Sequence, residues 1–209
     1  MTIKYDRDIA VEAIRSYYKF LTTIPAIQAS DILEPPTGGW PSIITTSLAI
    51  LGKDEIVIDL LRHLPYIRRT HSGNENISYD TVAINYSNAK LRDNRSLDNL
   101  VPTAAGSLPA HVVSLTIGAR YGSYLLLDTQ KGTITDYIMM ERPERSHSPF
   151  DDPDHWRAYK TLPITEFFSE WEEMFRSLQW VALSHRSDDG VLLNHDRSTE
   201  VTAMVRFGV

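Results

Sequence analysis

The chain has 209 residues, 42% of them hydrophobic and 23% charged. That balance suits one folded domain spanning 1–209 and excludes disorder, collagen-like repeats and coiled-coil rods. Twenty-one basic against 27 acidic side chains leave a net charge of -6, which disfavours broad electrostatic binding to nucleic acid or an anionic membrane. With no cysteine, disulfide scaffolds, thiolate nucleophiles, iron–sulfur clusters and cysteine-ligated zinc are ruled out.

Ile9, Ala13, Tyr17 and Leu21 recur at steps of four with Ile14 and Tyr18 alongside, predicting an amphipathic helix over 5–21. The charged opening, Lys4 to Asp8, does not resemble a secretory leader, and no run approaches the ~18 apolar residues of a membrane span. A cytoplasmic protein is the expectation. Residues 31–41, with three prolines and two glycines between 34 and 41, are expected to form a loop without helix or strand. Thr45 or Thr46 can open a short helix that Gly52 ends. Asp54 can cap another, whose apolar side is Ile56, Val57, Leu60, Leu61 and Leu64.

The period then changes. Val82, Ile84 and Tyr86 alternate with small or polar residues, predicting a strand. Residues 90–109 read as a long loop. Val113–Ile117, Tyr124–Leu127 and Thr133–Met140, separated by turns, predict a three-stranded antiparallel meander. A loop over 142–154 precedes a helix from Pro163 with Phe167, Phe168, Trp171, Met174, Phe175 and Leu178 on one side. Residues 180–183 and 201–207 supply two last strands. Helices, then consecutive strands, then a helix, without a strand–helix alternation, predict an α+β fold: N-terminal helices, a central curved and mostly antiparallel sheet, and a C-terminal helix packed on it.

Neither a glycine-rich nucleotide fingerprint nor a phosphate loop nor a Gly-x-Ser-x-Gly elbow occurs, and no cofactor is expected. Asp151, Asp152, Asp154 and His155 offer metal-ligand chemistry, but their spacing matches neither a calcium loop nor a helical zinc pair, so a solvated turn is expected and no metal site. For acid–base catalysis the candidates are His63, His71 and His155 with Asp151, Asp152 or Tyr66, because imidazole, carboxylate and phenol can exchange protons. His63 equally suits a structural role near the end of its helix. Trp40, Tyr86 and Trp156 can line a ligand pocket, and Arg62 can meet an anionic group.

The stretch Tyr124-Leu125-Leu126-Leu127-Asp128-Thr129, continuing through Gly132-Thr133-Ile134-Thr135-Asp136-Tyr137, precedes Pro163-Ile164 and Glu166-Phe167-Phe168 with Trp171. With Pro35-Pro36, Gly38-Gly39-Trp40-Pro41 and Leu60 to Ile67, these patches resemble a large fungal family of uncharacterised intracellular proteins. The hairpin followed by a Phe-Phe-x-x-Trp helix also resembles, more distantly, the SUKH superfamily of cell-wall-synthesis regulators and bacterial immunity proteins. This chain lacks that superfamily's usual opening, a Leu-Pro segment leading into a helix and an Asn-Gly turn. The resemblance implies a curved antiparallel sheet and a regulatory role in binding a protein partner, with loops 34–41, 68–78 and 88–109 as the expected contact surface. The alternative from the residues is an enzyme of small-molecule metabolism in a fungal biosynthetic pathway, its ligand held in a sheet-lined pocket. A homodimer through a strand near 201–207 is a third expectation.

Overall fold

The computed structural model describes residues 4–24, 26–68, 76–88, 108–143, 152, 154–182 and 191–193. Three α-helices are present among them: α1 (Arg7–Leu21), α2 (Glu55–His63) and α3 (Ile164–Arg176). Each start has a local cause. Asp6 accepts hydrogen bonds from the Asp8 and Ile9 amides, and Asp54 accepts one from the Val57 amide, satisfying donors that a helix start leaves open. Pro163 cannot cap α3 with its side chain; the Ile164 amide instead donates to the Gly132 carbonyl at 3.2 Å, tying the helix to a sheet turn. The segment Thr45–Leu51 is helical, as its sequence predicts, but is wound as a 3-10 helix that ends where Gly52 adopts φ 58°.

The strands are β1 (Ile32–Leu33), β2 (Tyr66–Ile67), β3 (Asn76–Ser78), β4 (Thr81–Ala83), β5 (Val112–Ser114), β6 (Thr116–Gly118), β7 (Tyr124–Asp128), β8 (Thr133–Tyr137), β9 (Thr161–Pro163), β10 (Trp180–Ala182) and β11 (Val191–Leu193). All their pairings are antiparallel, in the orders β1-β2, β3-β4-β6, β5-β7-β8-β9 and β10-β11. The fold is thus α+β with a C-terminal helix against the sheet strands.

The first predicted strand of the meander, 113–117, divides at Leu115 between two sheets. Hydroxyl groups bridge the break: Ser114 Oγ donates to the Thr116 carbonyl, while Thr116 Oγ1 donates to the Ser123 carbonyl and accepts from the Leu125 amide. Buried backbone groups left by the bend therefore keep partners. The strand predicted over 82–86 is shorter, because Asn85 Oδ1 accepts from the Ser87 amide and turns the chain out of the ladder. The predicted strand 201–207 lies outside the described residues.

Both faces of the β5-β7-β8-β9 sheet are covered, which explains why Tyr124–Leu127 is apolar without alternation. Leu125, Leu127 and Ile134 belong to the main core with the three helices; Val112, Tyr124, Leu126, Tyr137, Trp156 and Tyr159 form a second cluster. In the main core Tyr17 of α1 lies with its ring 5.1 Å from Phe168 and 5.8 Å from Trp171 of α3. Its hydroxyl donates to the Ile77 carbonyl at 2.5 Å. Each such buried side chain contributes roughly 1.5–3 kcal/mol of transfer free energy, so the α1–α3 pair is held by packing rather than by helix propensity.

Candidate functional site

Four of the residues singled out by sequence gather where the 34–41 loop meets the end of α2. Gly39 (φ 83°) lies so close to Arg62 that an added Cβ would stand 2.5 Å from Arg62 Cγ and 2.7 Å from its carbonyl oxygen, so only glycine fits. The contact lets the Trp40 amide donate to the Arg62 carbonyl and the Trp40 indole Nε1 to the Leu64 carbonyl, both at 2.8 Å. The Trp40 ring lies 5.8 Å from that of Tyr66, whose hydroxyl donates to the Leu61 carbonyl. Arg62 Nε donates to the Ile43 carbonyl at 3.0 Å. Loop and helix end are therefore locked together by side chains that serve orphan carbonyls.

His63 differs from these neighbours. Its Nδ1 is 2.8 Å from the Asp59 carbonyl oxygen and 3.3 Å from Asp59 Oδ1. A carbonyl can only accept, so Nδ1 carries the proton and the neutral ring keeps its lone pair on Nε2. His63 lines a cleft of about 530 Å³ with Asp8, Val11, Glu12 and Arg15 of α1 on one wall and Pro35, Pro36 and Thr37 on another. Arg15 is paired with Glu12 (2.8 Å) and Glu34 (3.0 Å); Arg7 is paired with Asp8 and Asp59. The Arg15 guanidinium holds the Glu12 carboxyl below its usual range.

The remaining candidates are elsewhere. Tyr86 is buried between the sheets and donates to the Ser114 carbonyl at 2.7 Å. His155 and Trp156 stand in a 3-10 turn, His155–Ala158, at the second cluster. The His155 ring meets Tyr159 edge-on at 5.6 Å, and Trp156, 1% exposed, lies under the Arg157 guanidinium at 4.2 Å. Asp152 Oδ1 accepts from the Asp154 amide, and its carbonyl accepts from the His155 amide, the turn its sequence predicts. These contacts put His63 and His155 in different neighbourhoods. His71 and Asp151 lie outside the described residues. No group of three or more metal-ligating side chains converges among the described residues, and no described helix is long and apolar enough to cross a membrane.

Three polar groups escaped sequence reasoning. Asp59 precedes His63 by one helical turn, and that spacing was the available signal. Lys53, its ammonium pushed down to about 8 by burial, donates to the Leu108 and Pro109 carbonyls at 2.9 and 3.0 Å. Asp136 has an Oδ1 that is buried without a hydrogen-bond partner, and burial raises its carboxyl to about 6 against the pull of a Ser123 hydroxyl hydrogen bond. Its strand register, on the same side as Ile134, was the only clue.

No protein-family model, curated protein or solved structure matches this chain.

Proposed function

We propose that this chain is a protein-binding, regulatory module of the SUKH-like type, acting in the cytoplasm, with the cleft between α1 and the 34–41 loop as its recognition surface. The observation that carries this reading is the use of the polar residues. Trp40, Arg62 and Tyr66 each spend a donor on a backbone carbonyl, which fixes the 34–41 loop against the end of α2; Tyr86 does the same between the sheets, so few of these groups are left for chemistry. Pro35, Pro36 and Thr37 of that loop and His63 of that helix line a polar cleft, of the size and preorganisation that suit a partner's side chains.

The experiment is affinity purification from cell lysate with the wild-type chain and with Thr37→Arg, whose side chain would fill the cleft. A reproducible partner retained by wild type and lost by the variant supports the reading. No partner, together with a saturable thermal shift by a small metabolite, would overturn it. The second reading, an enzyme of small-molecule metabolism, is favoured by one observation: Asp59 holds Nδ1 of His63, a residue that lines the cleft, which leaves Nε2 as the ring's acceptor, as a general base requires.

A further inference from the structure

We propose that the His63 cleft takes a lysine or arginine side chain of the partner; this rests on the binding-module reading above. The argument begins with the tautomer. Because Nδ1 is committed to the Asp59 carbonyl, neutral His63 offers the cleft an acceptor and no donor.

The charges around it point the same way. From α1 come Asp8, Glu12, Arg7 and Arg15; from α2 comes Asp59; from the loop comes Glu34. Each of the two guanidinium groups stands between two carboxylates, Arg7 between Asp8 and Asp59 and Arg15 between Glu12 and Glu34. Four carboxylates against two guanidinium groups leave two negative charges in excess while His63 is neutral. Asp8 and Glu12 remain 80% and 59% exposed in their side chains, so their oxygens can still accept from a ligand.

A donor-rich cation matches that surface. Its N–H groups meet Nε2 and the carboxylates together, and Val11, Pro35 and Pro36 supply apolar walls for its methylene stem. A carboxylate or phosphate would find the guanidinium groups already neutralised and a lone pair facing it.

The test is NMR titration of the full chain with three blocked peptides, Gly-Arg-Pro-Arg-Gly, Gly-Lys-Pro-Lys-Gly and Gly-Glu-Pro-Glu-Gly, at pH 7.5. The expected result is binding of the basic peptides with shifts at His63, Thr37 and Glu12. His63→Leu should weaken that binding, while Glu166→Gln on α3 should leave it unchanged. The ¹⁵N shifts of the His63 ring check the tautomer independently of any ligand. Equal or tighter binding of the glutamate peptide at the same residues would overturn the cation inference and leave the module reading standing. Loss of the lysate partner on Thr37→Arg with no basic-peptide binding would do the same. If neither peptides nor a partner engage the cleft, both fall.

Discussion

Replacing Asp136 by asparagine removes a charge that the fold accommodates badly, and the size of the gain follows from its surroundings. The residue sits on β8 opposite Leu125, with one carboxylate oxygen buried and unpartnered. Burial raises its pKa from 3.8 to about 6; Glu141 and Glu170 push in the same direction, and Ser123 and Lys160 oppose them. Lys160 is itself held by Glu170. A raised acid is more protonated when folded, so stability is fullest below pH 3.8 and is lost as pH rises through about 6. About two units at 1.36 kcal/mol each give a ceiling of roughly 3 kcal/mol. Asp136→Asn keeps an oxygen for Ser123 and carries no charge. Urea denaturation of both proteins from pH 4 to pH 8 should show midpoints that nearly coincide at the acid end, with the variant ahead by up to about 3 kcal/mol above pH 7. A constant offset at every pH, or a variant less stable at pH 7.5, would refute the reasoning.

Other perturbations have definite outcomes. Gly122→Ala would place a Cβ 1.8 Å from the Asp80 carbonyl oxygen, and calorimetry should register a loss of about 3 kcal/mol or more, because the obstructing atoms belong to backbone and cannot swing aside. Tyr17→Phe keeps the ring contacts but strands the Ile77 carbonyl, which should cost about 1–3 kcal/mol in chemical denaturation. Gly39→Ala collides with the Arg62 backbone; it should separate loop from helix and redshift Trp40 fluorescence as the indole leaves Leu64.

Local chemistry made much of the fold readable. Asp54 before an apolar helix, Pro65 after it, and the Phe167–Trp171 stripe each reflect forces acting within a few residues, and the structure has these elements. Short pairings were not readable: β1 with β2 joins Ile32–Leu33 to Tyr66–Ile67, and two-residue ladders carry no period. The division at Leu115 was hidden for a related reason. Alternation continues through it unbroken; the signal lies in hydroxyls at 114, 116 and 123, which look like ordinary strand residues until their partners are known. At the cleft, composition points to His63 but not to its Asp59 companion, and for His155 it gives no hint of the edge contact with Tyr159. Residue type marks what a side chain can do; only tertiary placement decides which lone pair is left over.

The shared segment 112–118 also bears on how the molecule opens. Because β5 pairs with β7 and β6 with β4, while Leu115 donates to the Leu125 carbonyl and accepts from the Ile84 amide, fraying one ladder pulls directly on the other. The amides of Ile84, Leu115 and Leu125 should therefore exchange with deuterium at one common slow rate, as members of a single cooperative unit. Two nominally separate sheets would then breathe as one, keeping the scaffold behind the α1 and α3 helices stiff.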